Sequence, residues 1–140
     1  MSEPTATLSD GDVVGAFYDA YTDQAPERFA AIVAEDYIDY EHEPPGRGPH
    51  GTRDDFDHAA KAGGAIRYEI DALVDDGDGS VAAVWTAHLP GTDESFKGLG
   101  LHRVRDHVLD ETHNAIVGAV PKHFRWGDHR TDGAFRQRLS

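Results

Sequence analysis

Residues 66–71 read Ile-Arg-Tyr-Glu-Ile-Asp, and the pattern of the chain changes at this point. Apolar Ile66, Tyr68 and Ile70 alternate with charged residues, a period of two that indicates a strand with one buried face. Turn-forming residues rich in Asp, Gly and Pro separate it from later apolar segments. The C-terminal half therefore predicts three further antiparallel strands, over residues 81–89, 96–105 and 109–117.

Before residue 64 the apolar residues follow helical spacing instead. Ser9, with an acidic residue three positions later, predicts the start of a first helix. Pro26 is expected in the first turn of a second helix, which carries Phe29, Ile32 and Val33 and ends at Glu35-Asp36. Thr52 is expected to cap a third helix. A short β-like piece at 37–40 and a Pro/Gly-rich loop at 43–49 lie between them. Helices followed by strands predict an α+β fold, with three N-terminal helices packed against a curved, mainly antiparallel sheet that leaves an apolar cavity at one end.

Length and composition predict one globular domain of 140 residues. We expect a flexible N-terminus over 1–10, the domain over 11–120 and a locally basic tail over 121–140, which packs on the sheet or on a partner subunit. The chain carries a formal net charge of -13, which disfavours nucleic acid as a partner. It has no membrane-length apolar run and no signal-like N-terminus, so a cytoplasmic location is expected. Solubility, a salt-rich habitat and a GC-rich genome would each produce this acidity.

Metal and nucleophile chemistry have little support in the sequence. The chain has no cysteine, which excludes disulfides and thiolate sites. The acidic turn at 75–79 lacks the spacing and the distal Glu of an EF-hand. A possible metal-binding cluster is formed by Glu41, His42 and Glu43, but these consecutive residues lack the regular spacing of a zinc site. We therefore expect no metal and no cofactor.

Four segments, taken in order, resemble one known family. VVGAFYDAY at 13–21 looks like its opening helix, and DYIDY at 36–40 followed by GTRDDF at 51–56 looks like its central stretch. VAAVWTAH at 81–88, and GLGLHRVRD at 98–106 followed by the Leu-x-Glu-x-His of 109–113, look like its strands. Together these segments resemble the SnoaL-like family of the NTF2-like superfamily, whose fold is a cone with an interior pocket.

The resemblance implies a function as well as a fold. Polyketide cyclases of this type use neither metal nor cofactor, and they close a ring by an intramolecular aldol reaction with a general acid/base in an apolar pocket. The same superfamily includes isomerases, epoxide hydrolases and non-catalytic domains that bind small molecules or proteins, and these remain alternatives. Homodimers built on the open sheet face are common in it, so a homodimer is expected. Three positions depart from the cyclase pattern: Tyr40 replaces a His, His113 replaces a Trp, and Val117 stands at the general-base Asp.

Strand alternation selects the candidate site residues. His102 shares an inward face with Gly100 and Val104, and parity places Glu111 and His113 on the inward face of the last strand. An inward imidazole in an apolar wall would be neutral near pH 7 and able to transfer a proton. The predicted catalytic residues are His102, His113 and His42. The predicted substrate-binding residues are Tyr18, Tyr37, Tyr40, Trp85, Phe96 and Glu111.

Overall fold

The computed structural model describes residues 8–40, 46–63 and 66–117. Helix α1 spans Asp10–Thr22, and the Ser9 hydroxyl oxygen accepts the N–H of Asp12 at 3.1 Å, so the predicted N-terminal cap is confirmed. One side of α1 is buried, and Val14, Phe17 and Tyr18 on that side face the sheet. This helix therefore supplies the apolar layer that covers the sheet.

The predicted second helix is wrong in extent. Pro26–Arg28 forms a 3-10 turn, α2 is the single turn Phe29–Ile32, and strand β1 occupies Val33–Asp39. Val33 is extended, 3% exposed and paired with Leu109 of the last strand. Pairing with a distant strand thus overrides the helical spacing, because local pattern is only a weak constraint on a β-branched residue.

Helix α3 spans Gly48–Gly63 and begins four residues before the predicted cap. Gly48 has φ +63°, and a Cβ there would lie 2.7 Å from the Glu35 carbonyl oxygen, so only glycine fits. Pro49 follows in the first turn, where its missing N–H costs nothing. Thr52 lies inside the helix, and its hydroxyl donates to the Gly48 carbonyl at 3.1 Å.

The described strands form one six-stranded sheet in the order β2-β1-β6-β5-β4-β3. The further strands are β2 (Gly46–Arg47), β3 (Arg67–Asp75), β4 (Ser80–His88), β5 (Ser95–Arg105) and β6 (Val108–Val117). Only the β1–β6 pair is parallel, so the prediction of a mainly antiparallel sheet is confirmed. The prediction that three helices precede all strands is wrong, because β1 and β2 come before α3.

The core lies between the helices and one face of this sheet, which we call the inner face. It includes Phe17, Phe29, Tyr37, Trp85 and Phe96, each at most 4% exposed. The pairings of β1 with β6, β3 with β4 and β5 with β6 each contain a register shift. Such irregularities bend strands and increase twist, so the sheet curves around the helices. No helix among the described residues is long and apolar enough to cross a membrane.

Candidate functional site

A chain of three buried polar side chains crosses the inner face. The oxygen of the Tyr18 hydroxyl lies 2.9 Å from Nε2 of His102, and Nδ1 of His102 lies 2.9 Å from Oγ1 of Thr112. Their exposed fractions are 3%, 4% and 0%. The inward orientation predicted for His102 is confirmed, and Tyr18 meets it from α1. We call these three residues the His102 chain.

Two glycines of β5 make room for this arrangement. A Cβ on Gly100 would lie 2.5 Å from the Tyr18 hydroxyl oxygen, 2.6 Å from Nε2 of His102 and 2.8 Å from Oδ1 of Asn114. A Cβ on Gly98 would collide with the Trp85 indole. Both positions thus need glycine, because side chains from α1, β4 and β6 pack directly on the backbone of β5.

Aromatic side chains pack beside the His102 chain. The Trp85 indole N–H donates to Oδ1 of Asn114 at 3.2 Å, and its ring meets Phe96 edge-on with centroids 5.8 Å apart. Tyr37 is fully buried, and its ring centroid lies 6.3 Å from that of Phe17. Tyr37, Trp85 and Phe96 therefore line the same apolar interior as His102.

Burial makes His102 an unusual histidine. Desolvation first, and the nearby His113 second, lower the pKa of His102 from its usual 6.5 to about 3. The imidazole is therefore neutral at pH 7. A group whose conjugate acid is that strong accepts protons poorly at neutral pH, but a neutral ring can still donate one hydrogen bond and accept another.

Asp39 is a buried carboxylate that the sequence reasoning missed. It is 4% exposed and, two residues after Tyr37 on β1, it shares the inner face. Its register partner on β6 is Thr112, which in turn pairs with His102 on β5. Asp39, Thr112 and His102 thus form a row across three adjacent strands. Tyr37 and Asp39 are two residues apart, so in a strand they share one face. This spacing predicts an inward Asp39 only if residues 37–39 are known to belong to the sheet.

Comparison with known proteins assigns this architecture to a family. The family model of the SnoaL-like domain matches residues 14–111. This chain belongs to the SnoaL-like family. Among curated protein sequences, none is similar enough to match it.

Solved structures share the fold of this SnoaL-like chain. A SnoaL-like polyketide cyclase from Agrobacterium tumefaciens has a TM-score of 0.68 at 15% identity, covering 95% of this chain and 99% of its own. IdmH from Streptomyces antibioticus has a TM-score of 0.65 at 22% identity, covering 78% and 92%. An NTF2-like protein of unknown function from Cytophaga hutchinsonii has a TM-score of 0.67 at 12% identity, covering 81% and 95%. At these identities the likeness extends to the fold alone.

The inward orientation predicted for His113 and Glu111 is wrong. The register of β5 against β6 shifts so that Val104 faces Leu109 while Arg103 faces Glu111, which leaves Asp110 as an extra residue on β6. One extra residue moves every later side chain to the opposite face. Thr112 and Asn114 therefore point inward, and His113 points outward. Val117 also points outward and is 57% exposed.

Tyr40 pairs with His113 rather than with His102. Its ring stacks on the His113 imidazole with centroids 4.4 Å apart and planes 6° from parallel. His113 and Glu111 line an open groove of about 420 Å³, together with Leu101, His102 and Arg103. The side chains of Glu111 and His113 thus extend from the outer face, whereas the His102 side chain extends from the inner face, although all three residues line this groove.

The remaining candidates are the predicted catalytic residue His42 and the acidic residues considered for metal binding. His42, Glu41 and Glu43 lie outside the described residues. Within the described ranges, no group of three His, Asp or Glu side chains could hold a metal ion. In the acidic turn, Asp75 accepts the N–H of Gly77, and Asp76 accepts those of Asp78 and Ser80, at 2.7–3.0 Å. These carboxylates therefore stabilise the turn itself.

Proposed function

We propose that this SnoaL-like chain is a cofactor-independent enzyme that closes a ring in an apolar, polyketide-like intermediate. The observation that carries the proposal is the His102 chain, three hydrogen-bonded polar groups buried in an aromatic interior. Buried polar groups are costly unless satisfied, and convergent polar groups in an apolar interior are typical of small-molecule sites. Membership of the family adds the expectation of ring closure by general acid/base catalysis.

In this proposal the His102 chain binds the reacting oxygen of the substrate. Aldol closure passes through an enolate, whose negative oxygen is stabilised by fixed donors in a dry site. Tyr18 can donate its hydroxyl proton to that oxygen while a neutral His102 N–H donates to the Tyr18 oxygen. Thr112 then donates to the other imidazole nitrogen, which fixes the tautomer. Tyr37, Trp85 and Phe96 would contact the apolar rings.

An isomerase is the alternative enzyme, and one observation favours it. Isomerisation needs an inward Asp that carries a proton between two carbons, and Asp39 supplies a buried carboxylate. An epoxide hydrolase would need an Asp-Arg-Asp set, and the buried polar residues of the described ranges include no Arg. A non-catalytic, protein-binding domain is favoured by the low exposure of Tyr18 and His102. A closed core leaves no room for a small molecule, so such a domain would bind its partner through its surface.

A thermal-shift screen tests the proposal. Panels of polyketide-like ketones, steroids and epoxides would be added to the purified protein, with ATP as a charged control that the acidic surface should repel. A ligand at 100 times its Kd adds about 2.7 kcal/mol, which corresponds to a rise in Tm of about 8–9 °C for a chain of this length. A shift with apolar ketones followed by turnover supports the cyclase. No shift with any apolar panel favours the protein-binding alternative.

We also propose that the outer face of the sheet forms a homodimer. This face exposes Val74, Leu101 and Val117 at 65%, 49% and 57%. Four strands spaced by about 4.8 Å and about 30 Å long present roughly 570 Å² for each copy. Two such faces bury roughly 1,100 Å², which exceeds the lower limit of about 1,000 Å² for a specific interface. A cytoplasmic location and the packing of the 121–140 tail remain predictions, and that tail lies outside the described residues.

A further inference from the structure

We propose that the basic tail, residues 121–140, docks into a groove between α1 and β3 of the same molecule. This groove lies on the exposed side of α1, whereas Tyr18 and the His102 chain lie on its buried side. A docked tail would therefore hold in place the helix that supplies Tyr18 to the His102 chain. The surface is distinct from both the inner-face site and the outer face of the sheet.

The groove exists because α1 is attached to the edge strand β3 near both of its ends. Near the C-terminal end of α1, the Thr22 hydroxyl accepts the Tyr68 N–H at 2.8 Å and donates to the Tyr68 carbonyl at 3.3 Å. Near the N-terminal end, Oδ2 of Asp75 accepts the Gly11 N–H at 3.0 Å. An open groove of about 700 Å³ lies along this pair of elements. Because β3 is the last strand of the described sheet, no further described strand covers it.

The lining of the groove combines exposed apolar side chains with acidic ones. Leu8 and Leu73 both line it and are 51% and 37% exposed. The acidic side chains are Asp12, Asp19 and Asp75, and among the described residues no Lys or Arg lines the groove. Exposed apolar surface rimmed by charge is typical of an interaction site, and the sign of the charge favours a basic partner.

The tail has the complementary composition. Of the 13 basic and 26 acidic residues in the chain, five and two lie in residues 121–140, so residues 1–120 carry eight and 24 and a net charge of -16. The tail also contains the aromatic residues Phe124, Trp126 and Phe135. Aromatic and basic side chains together match an apolar groove with an acidic rim, so the tail is the segment of this chain that fits it.

The tail can reach the groove from the end of β6. Val117 lies in the same row of the sheet as Glu69 of β3, with β5 and β4 between them, so three strand spacings of about 4.8 Å separate the two residues. Leu73 in the groove lies four residues further along β3, or about 13 Å. Residues 118–126 span up to about 30 Å when extended, which is enough to bring Trp126 to Leu73.

The outer face of the sheet is less suited to a basic segment, because its acidic groups already have basic neighbours. Lys97 lies 2.8 Å from Asp71, and Arg103 faces Glu111 across β5 and β6. An external basic peptide is the other possible occupant of the groove. A segment of the same chain has an effective concentration in the millimolar range, which favours it over such a peptide.

Cross-linking within the full chain tests the docking. The chain has no cysteine, so two introduced cysteines would be its only thiols. Gly127→Cys, next to Trp126, would be combined with Ala16→Cys in the groove. The matched control combines it with Ala82→Cys, since Ala82 is also half-buried and lies on the outer face between the inward Val81 and Ala83. With a short bismaleimide, we expect the intramolecular product to form at least about 10-fold faster with Ala16→Cys.

Charge substitutions in the groove test the electrostatic part of the docking. Asp12→Asn combined with Asp19→Asn should slow the Ala16→Cys cross-link by about 3- to 10-fold, because exposed charge pairs contribute modestly. Asp36→Asn combined with Asp57→Asn makes the same change of charge at exposed positions of β1 and α3, and it should leave the rate unchanged. Equal rates in the two double variants would overturn the acidic groove as the docking surface.

Three further results would overturn the proposal, provided that both cysteine pairs melt like wild type and react fully with a monofunctional maleimide. Cross-linking at Ala82→Cys as fast as at Ala16→Cys would place the tail on the outer face or on no preferred surface. A product of twice the chain mass would show that the groove binds the tail of a second copy. Absence of any cross-link would show that the tail occupies neither surface.

Discussion

Gly100→Ala is the substitution that most directly probes the packing of the site. The added methyl group would lie 2.5 Å from the Tyr18 oxygen, 2.6 Å from Nε2 of His102 and 2.8 Å from Oδ1 of Asn114. Carbon does not approach oxygen or nitrogen so closely, so at least one of these side chains must move and its hydrogen bond must lengthen. The substitution therefore perturbs the His102 chain while Tyr18, His102 and Thr112 themselves stay unchanged.

The expected loss of stability follows from two opposing effects. Overpacking a tight interior costs about 1–3 kcal/mol, and a lost buried hydrogen bond costs about 1 kcal/mol more. Replacing a strand glycine regains about 0.5–1 kcal/mol of chain entropy. The net loss of about 1–3 kcal/mol corresponds to a fall in Tm of about 3–10 °C, because unfolding entropy at this length gives about 3 °C per kcal/mol.

Gly15→Ala is the matched control for the thermal melt. Gly15 lies within α1, and a Cβ there would meet nothing within 4 Å. The same change should therefore raise Tm by about 2–3 °C, since alanine favours the helix interior by about 1 kcal/mol. Opposite signs at the two glycines are the predicted result. A Gly100→Ala protein as stable as wild type would refute the close packing of the His102 chain.

Two further predictions concern pH and assembly. His102 has a pKa of about 3 in the folded protein and about 6.5 when unfolded, so only the unfolded state takes up its proton between these values. Stability is therefore lost as pH falls from about 6.5, by about 2 kcal/mol at pH 5, and denaturant melts should show less loss in His102→Gln. For assembly, Leu101→Lys on the outer face should convert a dimer to a monomer in analytical ultracentrifugation. A monomeric wild-type protein would contradict the dimer.

The two carboxyl groups whose pKa values are lowered lose their contribution to stability below this pH window. Hydrogen bonds from Lys97 and Thr86 lower the pKa of Asp71, and backbone N–H groups of Asp78 and Ser80 lower that of Asp76. The stability that these two carboxyl groups contribute is therefore lost only as pH falls below their usual pKa near 3.8. A wild-type protein whose pH dependence between 5 and 7 matches that of His102→Gln would contradict the buried, neutral imidazole.

Much of the site followed from local periodicity. The period-two pattern of β5 correctly placed His102 on the inner face, and Tyr18, predicted as a substrate-binding residue, lies 2.9 Å from it. The helical assignment of Val33 failed because its partner, Leu109, lies more than seventy residues away and no local signal encodes that pairing. Asp39 was overlooked because its pairing with Thr112 on β6 is equally distant in the sequence.

The error at His113 had a different physical origin. Parity along β6 holds only while the strand keeps one residue per partner, and the extra residue Asp110 breaks that rule. A bulge leaves little trace in composition, so Glu111 and His113 were predicted on the wrong face while Thr112 and Asn114 were missed. The structure thus replaces the predicted pair of inward histidines with the buried chain of Tyr18, His102 and Thr112.

The central claim is that the His102 chain belongs to a ligand site, and the affinity of Tyr18→Phe for a ketone found by thermal shift tests it most directly. Isothermal titration calorimetry would compare wild type, Tyr18→Phe and the control Tyr21→Phe, which makes the same change one turn further along α1. Loss of one hydrogen bond to the ligand is worth about 1 kcal/mol or slightly more, so we predict a Kd about 5- to 10-fold higher for Tyr18→Phe alone. Equal Kd values for all three proteins would contradict the claim.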